Sequence, residues 1–162
     1  MALHPDARAL HGDARQPLRH RQPGELRAGA GDLQGDQQVI TGLHHIAILA
    51  SEKARTLAFY EALGFRVTAC HPRPERRDEI VFMEAAGVTL EVFVSAGNPP
   101  RVSGPEAYGL RHAAFAVQDA AFARETLLQA GYAPEPLRQD AINGRAMFFI
   151  KDPDGLPIEI HE

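Results

Sequence analysis

Two histidines and two glutamates stand in apolar, strand-like sequence at matching places in the two halves of the chain. They are His45 in HHIAILA and Glu91 in VTLEVFVS, then His112 in RHAAFAV and Glu159 in LPIEIHE. A carboxylate taken out of water without a partner costs on the order of several kcal/mol, so it must meet a cation, keep its proton or lie near solvent. No lysine or arginine occupies an alternating inward position of these four segments. A divalent metal held by His45, Glu91, His112 and Glu159 would supply the missing charge. Two imidazoles and two carboxylates with open positions suit Ni²⁺, Co²⁺, Mn²⁺, Fe²⁺ or Zn²⁺ in expanded coordination, whereas structural zinc usually takes thiolates. Taken singly, a strand histidine is more often a packed or surface residue than a ligand. The case rests on the four positions repeating together, and it leaves open whether the ligands come from one chain or two.

The elements that must position these residues repeat as well. HHIAILA reads as a strand followed by the helical SEKARTLAFYEALGF, ending at Gly64; RHAAFAV is followed by QDAAFARETLLQAGY, ending at Gly131, with Asp119 as its N-cap. The interval from His45 to His112, 67 residues, recurs from Gly64 to Gly131, and Phe65 matches Tyr132. Three strand-like segments follow each helix: FRVTACH, EIVFMEA and VTLEVFVS, then roughly YAPEPL, AMFFIKD and LPIEIHE. The expected fold is α+β, with two tandem βαβββ modules, about 43–95 and 110–162, forming a cupped eight-stranded mixed sheet. Gly87 and Gly155 end turns four residues ahead of Glu91 and Glu159, and the second turn, Asp-Pro-Asp-Gly, has one residue more. Strand alternation puts His45 with Ala47 and Leu49 on one face, and His112 with Ala114 and Ala116. The alanines leave space above the sheet.

Composition narrows the function classes. At 162 residues and 44% apolar, the chain can bury the core of one domain. A net charge of −4 without a basic stripe argues against nucleic acid, and no apolar run reaches the length of a membrane span. The single cysteine, Cys70, makes no internal disulfide, so the cytoplasm is the expected compartment. Residues 1–38 contain no aromatic residue, isoleucine or valine, and read as a disordered leader or an over-extended start ahead of a domain over 39–162. They lack the apolar stretch of a secretory signal and carry Asp6 and Asp13, which a mitochondrial presequence seldom does. His4, His11 and His20 are too irregularly spaced to read as a metal tract.

The strand histidine of HHIAILA, the helix end FYEALGF, the strand histidine of GLRHAAFAV and the terminal DPDGLPIEIHE together resemble the vicinal-oxygen-chelate superfamily over residues 40–162. That superfamily includes glyoxalase I, methylmalonyl-CoA epimerase, extradiol dioxygenases, and bleomycin and fosfomycin resistance proteins. The resemblance implies the glyoxalase/bleomycin resistance fold, a homodimer, and a small substrate held on the metal through adjacent oxygens. Glu91 stands where glyoxalase I carries Glu and epimerases typically carry Gln, and RVSGPEAYGLRHAAF looks like small bacterial glyoxalase-related proteins. By resemblance the chain is a lactoylglutathione-lyase-like enzyme acting on the hemithioacetal of an α-oxo-aldehyde. Glu159 would take and return the proton, while Glu91 stays a ligand or shares the task. An extradiol-type dioxygenase and a non-catalytic small-molecule-binding resistance protein are the alternatives. Leu49 and Ser95 stand where many bacterial glyoxalase I enzymes carry an Arg and an Asn that serve glutathione.

Other residues carry weaker signals. His44 is read as structural, on the face opposite His45; His161 shares the face of Glu159 as a chain-end imidazole or a proton shuttle. Arg73, Arg76 and Arg77 in HPRPERRDE form a solvated loop or catch an anionic substrate tail. The connection AGNPPRVSGPEAYG is a lid or a linker. Because the repeat and all four candidate ligands lie after Val39, deletion of residues 1–38 is expected to leave the thermal unfolding midpoint and the metal content of the purified protein unchanged. A lower midpoint or lost metal would show that the leader packs on the domain.

Overall fold

Each half of the chain alternates apolar and polar residues along its strands, and the apolar set is what the fold buries. A computed structural model of the protein describes residues 39–162, so the leader and its three histidines lie outside the described residues. The first half runs β1 (Ile46–Ala50), α1 (Lys53–Ala62), β2 (Arg66–Arg73), β3 (Asp78–Ala85) and β4 (Val88–Val94), with a 3₁₀ turn, Pro74–Arg76, between β2 and β3. The second runs β5 (Ala113–Ala116), α2 (Ala120–Gln129), β6 (Arg138–Gln139), β7 (Ala146–Lys151) and β8 (Pro157–His161). The eight strands form two four-stranded mixed sheets, in the orders β1-β4-β3-β2 and β5-β8-β7-β6. In both, the first strand runs parallel to the last and the other pairings are antiparallel. The expected α+β architecture of two βαβββ modules is the one observed.

Local chemistry sets the element ends. The Glu52 carboxylate caps α1 by accepting from the Ala54 and Arg55 N–H groups, at 2.9 and 2.7 Å, and Asp119 caps α2 by accepting from Phe122 N–H at 2.8 Å. One strand differs from expectation. YAPEPL is not a strand, and β6 is only the two residues that follow it. Pro134 and Pro136 have no N–H to give a ladder, which leaves Glu135 N–H bonded alone to Phe149 C=O at 2.8 Å.

The back faces of both sheets share one core. Ile48, Val81, Met83, Leu90 and Val92 of the first module join Phe148, Ile150, Ile158 and Ile160 of the second, under Phe59, Tyr60 and Leu127 from the helices. Edge-to-face rings carry the core across the modules, Phe59 on Tyr132 at 5.3 Å and Phe65 on Phe115 at 5.4 Å. Burying the back faces in this way leaves the histidine-bearing faces outside the core.

The two final hairpins differ in a way that matters. In the first, Ala86 and Gly87 make the whole turn with φ of 47° and 79°, a geometry that glycine adopts without strain and alanine does not. In the second, the buried Asp152 organises a longer turn that ends at Gly155, φ 88°. Its Oδ1 accepts from the N–H groups of Asp154 and Leu156, at 2.9 and 2.8 Å, and its Oδ2 accepts from the Tyr60 hydroxyl on α1 at 3.1 Å. Asp154 reaches the first module too, accepting from the Ser51 N–H at 2.9 Å. The longer second turn thus ties the two modules together, through Asp152 and Asp154.

Burial pushes the Asp152 carboxyl above the usual carboxylate range, although the three hydrogen bonds pull the other way. A carboxyl whose folded pKa is raised makes the native state bind more protons than the unfolded chain, so its contribution to stability grows as pH falls through the raised folded value. Asp152→Asn keeps the accepting carbonyl and is expected to remove that acid-side gain, seen as a smaller wild-type-minus-mutant difference at neutral pH than near pH 4 in chemical unfolding. Asp152→Ala strands the buried Leu156 N–H and is expected to cost about 2–3 kcal/mol at neutral pH.

Candidate functional site

His45 immediately precedes β1, and Ala47 lies opposite Glu91 in the parallel β1–β4 ladder. The two-residue step from His45 to Ala47 keeps both side chains on one face, and His45 Nε2 sits 3.2 Å from Glu91 Oε2. The second module repeats the arrangement. His112 precedes β5, Ala114 lies opposite Glu159, and His112 Nε2 is 3.0 Å from Glu159 Oε2. On the antiparallel side Phe82 neighbours Glu91 and Phe149 neighbours Glu159. The glutamate side chains are 18% and 14% exposed and the histidines 37% and 31%, so the pairs are sheltered but open to a ligand. Neither carboxylate is orphaned, because each has an imidazole.

The expected gathering of all four residues is met only pairwise within one chain. Among the described residues, no three of His, Cys, Asp or Glu come together where one ion could be held. The structure brings His45 to Glu91 and His112 to Glu159, and not one pair to the other. The physical reason lies in the core: the modules join through their back faces and helix ends, which leaves both histidine faces looking outward. Imidazole and carboxylate are suitable donors for a borderline divalent cation, and each pair offers one of each.

The remaining candidates resolve differently. His44 is exposed, with its Nδ1 2.8 Å from Nδ1 of His45, so it bears on the orientation of that ring rather than packing on the opposite face. His161 does lie on the Glu159 side of β8, but its Nε2 is 3.0 Å from Asp140 Oδ2 and its Nδ1 2.7 Å from the Glu162 carbonyl. The Asp140 carboxylate raises its pKa above the usual imidazole value. Arg73 forms a bidentate pair with Asp78, at 2.7 and 2.6 Å, and lies 5.1 Å over the Phe93 ring. Arg76 and Arg77 are exposed at the 3₁₀ turn. Within the connection, Arg101 donates to the Leu110 and Arg111 carbonyls, which folds that segment back on itself.

Sequence reading missed Arg138. Its guanidinium lies 5.3 Å over the Phe149 ring, which in turn meets the His112 ring edge-on at 5.3 Å. The 67-residue interval could have found it, because His71 holds the same place in the first module, 5.7 Å from Phe82. A cavity of about 590 Å³ opens here, lined by His112, Phe149, Arg138 and Lys151 among others. A second, of about 670 Å³, lies at the end of β1 against the connection and the Asp-Pro-Asp-Gly turn, and Leu49 and Ser95 line it. No helix among the described residues is long and apolar enough to cross a membrane.

Comparison with known proteins agrees with the fold. The family model described as Glyoxalase/Bleomycin resistance protein/Dioxygenase superfamily matches residues 42–160. Uncharacterized protein YwkD of Bacillus subtilis (strain 168) is 37% identical over 126 residues, which cover 76% of this chain and 98% of that protein. The crystal structure of a glyoxalase family protein from Enterococcus faecalis is 43% identical and superposes with a TM-score of 0.73, covering 77% of this chain and all of that one. The trypanothione-dependent glyoxalase I of Leishmania major, 24% identical with a TM-score of 0.58 over 73% of this chain and 84% of its own, shares the fold. The repeated module, the matching family model and a relative identical at more than a third of its positions establish that this chain belongs to the Glyoxalase/Bleomycin resistance protein/Dioxygenase superfamily.

Proposed function

We propose that the protein is a divalent-metal-dependent, glyoxalase-I-like lyase or isomerase that acts on a small substrate chelated through adjacent oxygens, such as the hemithioacetal of an α-oxo-aldehyde. The observation that carries this reading is the twofold repetition of an outward-facing His–Glu pair, at 3.2 and 3.0 Å. A structural ion pair needs no copy at the equivalent place of a second module, whereas a four-donor centre needs two half-sets. Since neither pair finds the other within the chain, the full set is His45 and Glu91 of one copy with His112 and Glu159 of a second. The working form is then a homodimer in which both copies build each site.

When bound, the ion would act as a Lewis acid toward two adjacent substrate oxygens, stabilising negative charge that develops there. The chain supplies the rest. Glu159 takes the proton from the carbon beside the carbonyl and returns it to the neighbouring carbon, and Glu91 holds its place as a ligand or shares the transfer from the other module. Ala47 and Ala114 leave room for the substrate on the sheet face, and Phe82 and Phe149 flank the carboxylates and limit water. Leu49 and Ser95 offer no charge for a glutathione carboxylate, so the thiol portion is not assigned to glutathione.

Replacing either His45 or His112 by Ala is expected to weaken metal binding by at least about a hundredfold, measured by metal analysis after dialysis. The mixed experiment is sharper. Unfolding and refolding the two mutants together should restore one intact site per mixed dimer, made from the surviving His45 and the surviving His112. Full metal occupancy in either single mutant would sink the ligand assignment, and a mixture that regains no metal would sink the two-chain site. Glu159→Gln should retain much of the metal while hemithioacetal turnover falls by about a hundredfold or more. Wild-type turnover in that variant, or a metal-loaded wild type inert toward a broad panel of α-oxo-aldehydes, would exclude this chemistry.

A further inference from the structure

The cleft beside His112 holds charge that the metal chemistry does not use. Four cationic side chains line it, Arg101, Arg111, Arg138 and Lys151, together with two carboxylates, Glu106 and Glu135. Arg111 is paired with Glu106 at 3.2 Å, and Arg101 is occupied by the Leu110 and Arg111 carbonyls. Arg138 and Lys151 have no carboxylate within ion-pair distance among the described residues. Arg138 is nevertheless held in place. Its Nε donates to Met147 Sδ at 3.0 Å and its guanidinium stacks on Phe149 at 5.3 Å, so both terminal nitrogens are without a partner among the described residues.

The two half-sites differ at this point. In the first module the guanidinium near the glutamate is Arg73, over Phe93, and Asp78 neutralises it. The place equivalent to Arg138 holds His71, over Phe82. Among the described residues, only the second half-site offers a stacked guanidinium without a carboxylate partner, connected to the His112 ring through a single phenyl ring. A planar fork of donors, stacked on an aromatic face and with no protein anion among the described residues, is suited to take an oxyanion end-on.

We propose that Arg138 binds an oxyanion, a carboxylate or a phosphonate, carried by the substrate a few bonds beyond the pair of oxygens held at His112 and Glu159, with Lys151 adding charge at the rim. This rests on the metal-centre reading for the position of those oxygens, and on the cleft for the anion. The substrate class is a small acid with two adjacent oxygens. The first module, whose guanidinium is already paired, takes the uncharged side of the molecule.

Matched hydroxamates test this on the full-length, metal-loaded protein by titration calorimetry. Butyrohydroxamate carries the chelating head with a neutral tail; succinate monohydroxamate and 3-phosphonopropionohydroxamate carry the same head with a carboxylate or a phosphonate. The wild type should bind the anionic pair at least about tenfold more tightly than the neutral one, and the stronger of the two names the oxyanion. Arg138→Ala should erase that preference while leaving butyrohydroxamate affinity unchanged, and Arg138→Lys should keep part of it. Equal binding of all three probes by the wild type, or an equal loss for all three in Arg138→Ala, overturns the proposal. If no hydroxamate binds, the metal reading fails. Titration of the metal-free protein with 3-phosphonopropionate then decides the anion site alone, kept if binding is seen and lost in Arg138→Ala, and overturned if no binding is seen.

Discussion

The placement of the second His–Glu pair depends on one buried carboxylate. Asp152 accepts two backbone N–H groups of its own turn and the hydroxyl of Tyr60 from the other module, and no cation among the described residues pairs with it. Those bonds fix where the chain leaves β7 and re-enters as β8, and hence which β8 residue faces Ala114. A slip of one residue in that pairing would turn Glu159 to the back face and Ile158 or Ile160 to the front. The same carboxylate holds α1, through Tyr60, against the second module. Placement of the glutamate and joining of the modules are therefore one problem with one solution, at the cost of a desolvated charge.

A shared back-face core has a second consequence. It consumes the apolar side of both sheets, and what remains outside is a pair of open faces whose polar residues have only each other. An imidazole 3.0 to 3.2 Å from a carboxylate satisfies both groups without a metal. The pairs are thus compatible with a stable chain in the absence of an ion, unlike small folds that require metal to form. Exposed apolar residues accompany them on the open side, Leu49 at the end of β1 and Leu110 ahead of His112, 59% and 55% exposed. A second copy over these faces would cover both kinds of surface at once.

The two modules are alike in their His–Glu pairs and unlike in what surrounds them. The His–Glu pairs and the flanking Phe82 and Phe149 are kept at equivalent places, because each needs only strand alternation and a register. The surroundings differ where single residues decide charge. Asp78 pairs with Arg73 in one module, and Arg138 has no carboxylate partner among the described residues in the other. The two faces therefore carry unlike charge beside like His–Glu pairs.

The sequence determined a good deal by itself. The 67-residue repeat, the helix ends, the Asp119 cap and the strand alternation that places His45 with Ala47 and His112 with Ala114 are local properties, set by periods of 2 and 3.6 and by the φ preferences of a few residues. The βαβββ order follows from them, whereas the pairing of each histidine with its own glutamate also needs the parallel β1–β4 and β5–β8 ladders. Local pattern failed at YAPEPL, where apolar alternation was outweighed by two prolines that cannot join a ladder. Only the tertiary structure decided the rest: that the modules meet back to back, that Asp152 finds Tyr60, that the two His–Glu pairs stay apart, and that Arg138 stacks beside His112 with no carboxylate to answer it. Each of these is a contact between residues distant in sequence or a charge balance over several loops, and periodicity along one strand holds no information about what will stand across from it.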